Sequence, residues 1–260
     1  MADPLTGRTA LITGAGNGLG RAITLCLAAN GIRVVLVGRD RAKLAKVADE
    51  VSVLGHPAGP ALVETCDVSN REEIARLVDV VSEADVSILV NNAGIAGPVA
   101  PLVEVTAEEW DAVFAANVRS IYLMCQAFLP AMTRRGNGDI INVASVSGKR
   151  PLINRTPYVA SKMAVIGLST TLAFEVGPLG VNVNTLSPGP VRGPRMERNF
   201  QLAAERTGST YEQAEHDFVS RAALGRMVTE EEVGLAVTAM LRMPGLCGAD
   251  IDLSAGMVGR

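Results

Sequence analysis

The stretch from Arg8 to Gly20, RTALITGAGNGLG, decides the fold. Its first half is a short apolar run, and its second half, Thr13-Gly14-Ala15-Gly16-Asn17-Gly18-Leu19-Gly20, is a glycine turn that opens a helix. A second apolar run, IRVVLVG, follows at 32–38. Glycine is needed where the chain takes positive φ and where the backbone must come close to an anion. The N-terminus of a following helix offers unpaired N–H groups and a partial positive charge to that anion. A glycine turn alone is often only a tight corner. Here it stands between a first strand and a helix leading to a second strand, the context that a dinucleotide diphosphate site requires.

Working outward, short runs recur at 61–66 (ALVETC), 86–91 (VSILVN), 138–144 (GDIINVA), 180–186 (GVNVNTL) and 249–254 (ADIDLS). With 8–13 and 32–38 they make seven expected strands. Several are apolar throughout, as parallel strands covered on both faces are. Helix starts lie between them. Ser69–Glu72, Thr106–Glu109 and Thr229–Glu232 have capping-box spacing, and Thr156 before Pro157 reads as an N-cap and an N1 proline. Gly177-Pro178 should end that last helix. The alternation predicts an α/β, Rossmann-type doubly wound fold: a seven-stranded parallel sheet with helices on both faces. No repeat or linker divides the chain, so residues 1–260 read as one domain.

Composition narrows the partners. The chain is 48% hydrophobic but only 3% aromatic, so Ala, Val, Leu and Gly must build the core. A net charge of −3 gives no electrostatic reason to expect nucleic acid. No apolar run approaches the ~20 residues of a membrane span, and no membrane partner is expected. Met1 to Ala10 has an aspartate, a proline and no apolar h-region, so it does not read as a secretory signal. Cys26, Cys66, Cys125 and Cys247 are far apart with no CxxC, which suits buried thiols in a reducing, cytoplasmic setting. His56 and His216 have no metal-like spacing, and no G-x-S-x-G elbow exists. No metal is expected.

The spacing G-x-x-x-G-x-G departs from the common G-x-G-x-x-G and resembles the TGxxxGxG element of the short-chain dehydrogenase/reductase family. Other elements resemble that family in order. Asp67-Val68 follows the third expected strand, Asn91-Asn92-Ala93-Gly94 matches NNAG after the fourth, and Asn117 matches the N-V/L pattern of a helix. Ser145, Tyr158 and Lys162 fit S-x12-Y-x3-K, and Pro188-Gly189 follows the sixth strand. The match covers essentially the whole chain. It implies an NAD(P)-dependent enzyme that moves a hydride between the cofactor and a small carbonyl or alcohol. Thr13, Gly14, Asn17, Gly18, Leu19, Gly20, Asp67, Val68, Asn91, Ala93, Gly94, Pro188, Gly189 and Val191 would contact the cofactor. Tyr158 would be general acid and base, Lys162 would hold the nicotinamide ribose, Ser145 would bond the substrate oxygen, and Asn117 would position a water. The residues themselves agree, since Tyr158 and Lys162 are one turn apart on one helical face. A nearby ammonium favours phenolate, the condition for proton transfer near neutral pH. One position departs from the pattern: where the family often has a cofactor-binding threonine, this chain has Gly193.

The end of the second strand bears on NAD against NADP. An acid there would bond the ribose 2′-hydroxyl and repel a 2′-phosphate. This chain has Gly38 followed by Arg39, whose guanidinium suits a phosphate, so NADP(H) is preferred, with NAD(H) possible. Asp40 would reach the ribose only if the turn were displaced.

The segment near 190–224 is charged, reads as two short helices broken near Thr207-Gly208, and by resemblance covers the active site as a lid. Arg195, Arg198, Arg206 and Arg221 there are balanced by Glu197, Glu205, Glu212 and Glu215, the pattern of a solvated face. Lys149, Arg150 and Arg155, which flank Ser145 and Tyr158, are the better hint of an anionic substrate. Two small or apolar stripes, Ala160-Ala164-Gly167-Thr171 and Trp110 through Met132, resemble the intersubunit helices of the family and imply a homotetramer. A 3-oxoacyl-thioester reductase is a special case of the same chemistry. A non-catalytic cofactor-binding regulator is the reading from another class, and the presence of both Tyr158 and Lys162 counts against it.

Overall fold

A computed structural model of the protein describes residues 5–55 and 59–258. Met1–Pro4 of the opening segment, His56 and the side chain of Arg195 lie outside that description. The strands are β1 (Thr9–Thr13), β2 (Arg33–Gly38), β3 (Leu62–Thr65), β4 (Val86–Asn91), β5 (Gly138–Val143), β6 (Val181–Pro188) and β7 (Asp250–Leu253). They pair in parallel in the order β3-β2-β1-β4-β5-β6-β7. The helices are α1 (Gly18–Ala29), α2 (Arg41–Val53), α3 (Arg71–Val80), α4 (Ala107–Phe114), α5 (Ser120–Arg135), α6 (Thr156–Val176), α7 (Pro194–Thr207), α8 (Tyr211–Val219) and α9 (Glu230–Leu241).

The strands read as unbroken apolar runs because each feeds two cores. Leu11, Val35, Leu89, Ile140 and Val183 face Ile74, Ile121, Phe128 and Val165 of α3, α5 and α6. Ile12, Leu36, Ile88 and Ile141 beside the first four, with Leu186 three residues on from Val183, face Ile23, Leu27, Leu44, Val233 and Val237 of α1, α2 and α9. Side chains alternate across a strand, so both residues of each adjacent pair are buried. A third, small cluster of Met196, Phe200 and Met227, with Tyr211 and Phe218 against it, holds α7 to α8.

Most caps form where the sequence puts them. Thr106 with Glu109 and Thr229 with Glu232 make both bonds of the capping box. Two starts are shifted by one residue. The N-cap of α3 is Asn70, whose Oδ1 accepts from Glu72 N and Glu73 N, because the Ser69 hydroxyl is donated to Asp67 Oδ1 at 2.6 Å. The N-cap of α6 is Arg155, with Thr156 already helical. A proline suits the second position as well as the first, since both N–H groups lack an intrahelical partner.

The helical stripes divide. Ile121, Cys125, Phe128 and Met132 on α5 are buried on the protein's own sheet. On α6 the buried line is Ser161, Val165, Ser169 and Ala173, so Ala164, Gly167 and Thr171 point away from the sheet. The connections from β1 and β4 leave to opposite faces, and the crevice at this reversal lies beyond the C-terminal strand ends, where open α/β sheets bind ligands.

Candidate active site

The turn after β1 is built for close approach. Gly14 and Gly18 have φ of +67° and +51°, and a Cβ on Gly20 would stand 2.1 Å from the carbonyl oxygen of Gly14. Thr13 lies under the turn, where its Oγ1 accepts from the backbone N–H groups of Asn92 and Ala93, each at 3.0 Å. Asn92 Nδ2 donates back to Thr13 O at 3.0 Å. The ends of β1 and β4 are thereby locked together. The N-cap of α1, Asn17, makes no side-chain capping bond, and no acid stands in the first turn of that helix. These N–H groups stand where the sequence predicts an anion cradle, and the residues present fit a dinucleotide diphosphate.

A cavity of about 1110 Å³ runs from this turn to both ends of the crevice. At one end Arg39 lines it beside Asp67 and Val68. Asp40 also lines it but caps α2, accepting from Lys43 N at 3.1 Å, and that N–H holds its carboxyl below the usual range. The side chain is therefore committed to the helix. A Cβ on Gly38 would meet Leu44 Cδ2 at 3.4 Å, an ordinary contact, so packing does not dictate the missing acid. The Ser69 hydroxyl and N–H hold the Asp67 carboxyl below its ordinary value, helped by the charges of Arg39 and Arg119. Burial raises the Cys66 thiol to about 11 and Cys125 to about 12, leaving both protonated and unreactive near neutral pH.

At the other end Ser145 and Tyr158 line the same cavity. Ser145 caps the short 3₁₀ turn Val146–Gly148, its Oγ accepting from Ser147 N at 3.2 Å. The Lys162 ammonium is buried beneath, 5.8 Å from the centroid of the Tyr158 ring, and donates to Val143 O at 2.9 Å. Gly94 lies over it: a Cβ there would stand 2.8 Å from Asn117 Oδ1 and 3.8 Å from Lys162 Nζ. Asn117 sits in a π-helical turn, Ala115–Arg119, that joins α4 to α5. Such turns often mark functional sites. Its Oδ1 accepts from Ile95 N at 2.7 Å and its Nδ2 donates to Ile95 O and Ser161 Oγ at 3.0 Å each. It clamps the loop that carries Gly94.

Gly14, Asn17, Gly18, Leu19, Gly20, Ala93, Gly94, Pro188, Gly189 and Val191 all reach the cavity as the sequence predicts. Thr13 and Asn91 do not line it. Asn91 lies within the sheet, its Nδ2 donating to Asn142 Oδ1 at 2.8 Å, and Asn142 passes the chain on to Ser169. Both support the site from below. Lys149 and Arg155 correct the anionic-substrate hint. Lys149 Nζ is 2.6 Å from Asp250 Oδ2 and also pairs with Asp252, while Arg155 Nη1 donates to the carbonyls of Ala96 and Gly97 at 3.2 Å each. Arg198, Arg206 and Arg221 are exposed, the solvated face expected. Sequence reasoning missed Lys43, Asn92, Arg192 and Glu230 as lining residues. Asn92 alone had a signal, inside the NNAG element. Arg192 is held to Glu215 of α8 at 2.6 Å.

A glycine cradle, a reversal of strand order and a Tyr–Lys–Ser group in one crevice define a nicotinamide-dependent oxidoreductase of the Rossmann type. The chain belongs to the short chain dehydrogenase family, whose model matches residues 8–204. It is 33% identical to a 3-oxoacyl-(acyl-carrier-protein) reductase of Thermotoga maritima over 90% of this chain and 89% of that one. It superposes on L-sorbose reductase of Gluconobacter frateurii, solved with NADPH and L-sorbose, with a TM-score of 0.92, 27% identity and full coverage of both chains. An NAD⁺-bound xylitol dehydrogenase is similar too, with a TM-score of 0.88 and 28% identity over 97% of this chain and 100% of that one.

Proposed function

We propose that the protein is an NADP(H)-preferring carbonyl reductase or alcohol dehydrogenase, one domain with a lid near 190–224, acting in the cytoplasm as a homotetramer. The observation that carries this reading is that Ser145 and Tyr158 line the cavity of the glycine cradle with the Lys162 ammonium beneath them. The N–H groups at Gly14 and from Gly18 to Gly20 would hold the diphosphate. Asp67 and Val68 would bound the adenine, Arg39 the 2′-phosphate, and Gly94, Pro188, Gly189 and Val191 the nicotinamide side. When bound, the nicotinamide ring supplies or accepts the hydride.

The chain's own residues handle the proton. Tyr158 gives it to the carbonyl oxygen in reduction and takes it from the hydroxyl in oxidation. Lys162, fixed by Val143 O, keeps a positive charge below the phenol. Ser145, whose Oγ is held by the Ser147 N–H and lies 3.5 Å from Pro188 O, would turn its hydroxyl to the substrate oxygen. Bonded to Ile95 through its amide, Asn117 holds the loop around Gly94 and would position a water for the proton relay.

A 3-oxoacyl thioester is the second substrate reading, favoured by the Thermotoga relative. The homotetramer is supported by the outward stripe on α6, where nothing lies within 4 Å of a Cβ on Gly167 and Phe174 is 79% exposed. No nucleic acid or membrane partner enters the reading. Among the described residues two helical spans are long and apolar enough to cross a membrane, Ala107–Arg135 and Thr156–Leu179, and both carry buried polar side chains, Asn117, Lys162 and Ser169. Ketones, oxoacyl thioesters, sugars and hydroxy acids assayed with both nicotinamide cofactors test the activity. Tyr158→Phe should lower turnover at least a hundredfold, about the size of a general-acid contribution, while cofactor binding persists. Near-normal turnover in that variant refutes the proton assignment.

A further inference from the structure

One wall of the cavity carries a charge that the hydride chemistry does not use. Glu230 opens α9 and lines the cavity. Its Oε1 lies 3.7 Å from the point where a Cβ on Gly18 would stand and 3.4 Å from the same point on Gly193. Gly18 is the first residue of α1 and part of the anion cradle. The carboxylate thus projects through the space left by two side-chain-free residues toward the N-terminus that would take the diphosphate.

Its neighbours are otherwise engaged. Glu232 is bonded to Arg226 and to the Thr229 cap, and Arg21, whose charge Glu230 feels, is bonded to Glu50 at 2.9 Å. Glu230 itself makes no hydrogen bond or ion pair among the described residues. A fixed anion at an anion-binding helix end subtracts from what the helix offers the ligand.

We infer that Glu230 is an affinity-setting residue whose charge opposes the cofactor's diphosphate, limiting how tightly the dinucleotide is held and speeding its release. The inference rests on the cofactor reading of the cavity given above. Two unit charges about 6 Å apart interact by an amount worth about threefold in affinity in bulk water, and more at the lower effective dielectric constant of a protein surface. Glu230 is half-buried, so the lower part of that range applies.

The test is fluorescence titration of NADPH and NADH against the wild type, Glu230→Gln and Glu230→Asp, at low and high salt. Glu230→Gln should bind about three- to tenfold more tightly at low salt, and the gap should close at high salt as screening sets in. Glu230→Asp keeps the charge and should stay within about twofold of the wild type by the same reasoning. Adenosine 2′-monophosphate, which has no 5′-phosphate to enter the cradle, should show little difference between the variants. Unchanged or weaker binding by Glu230→Gln overturns the inference, because a carboxylate that accepts a hydrogen bond from the cofactor would give that sign. Failure of the wild type to bind either dinucleotide overturns the cofactor reading instead.

Discussion

Replacing Lys149 with methionine removes the ammonium that stands between Asp250 and Asp252 and leaves the stem's bulk in place. The three side chains are 17%, 12% and 19% exposed, so water compensates only partly. Removing one partner of a buried ion pair costs about 3–5 kcal/mol. The Ser187 hydroxyl still donates to Asp250 Oδ1 at 2.7 Å, and with the residual exposure the expected loss falls to about 2–3 kcal/mol. For a domain of this size each kcal/mol moves Tm by about 2–4 °C, so Tm should drop by about 4–12 °C. Lys149→Met combined with Asp250→Asn and Asp252→Asn removes the two carboxylate charges as well and should recover more than half of that loss. Lys149 also follows directly on the turn that Ser145 caps. Loosening it should lower kcat for neutral and carboxylate-bearing substrates alike. Thermal melts by circular dichroism and paired kinetics on both substrate types decide the matter. A Tm change below about 1 °C, or a rise in KM confined to anionic substrates, would show that Lys149 serves the substrate and refute the reasoning.

Four other outcomes follow from the same structure. Gly20→Ala sets a Cβ 2.1 Å from a backbone oxygen that Gly14 cannot move without unlocking Asn92, so NADPH titration should show at least tenfold weaker binding. Gly16→Ala, whose Cβ would stand 3.0 Å from Lys43 Cβ and no closer than 3.6 Å to the backbone there, should show a smaller effect in the same titration. Arg39→Asp should weaken NADP(H) by about ten- to a hundredfold, the worth of a charged hydrogen bond, and leave NAD(H) equal or stronger; unchanged cofactor preference in steady-state assays would remove the assignment of Arg39. Arg226 and the Thr229 cap lower the Glu232 carboxyl from 4.5 to about 2. A depressed carboxyl stabilises the fold above its unfolded pKa and loses that contribution as pH falls through the folded value. Glu232→Gln should therefore melt slightly lower than the wild type from pH 7 to 5, by less than about 1 kcal/mol for so exposed a pair, and the two should converge toward pH 2.

What could be read from the chain, and what could not, divides by the range of the interaction involved. The seven strands stand within about two residues of their expected places because period and apolar run length are local signals. Gly14 and Gly18 could be read as positive-φ positions, and Gly20 as a close approach, because a strand–turn–helix confines all three within eight residues of Thr13. Ser69 misled because its hydroxyl had two local partners to choose from, the N–H donors of the helix start and the Asp67 carboxylate, and spacing does not rank them. Asn117 was placed correctly on its helix, but the partner bonded to its amide, Ile95, lies on another element.

The charged residues show the limit most sharply. Lys149 and Arg155 flank Ser145 and Tyr158 in sequence, and proximity along the chain suggested service to a substrate. Their partners are set by the sheet instead. Because β6 pairs with both β5 and β7, the loop leaving β5 comes up against Asp250 and Asp252 and finds its counter-ions there. Glu230 is the converse case. Its capping-box neighbours Thr229 and Glu232 made it look like one more first-turn acid favoured by its own helix dipole. Only the packing of α9 along α1 brings it to the N-terminus of the other helix as well, where the same charge satisfies that dipole and so opposes an anionic ligand that would use it.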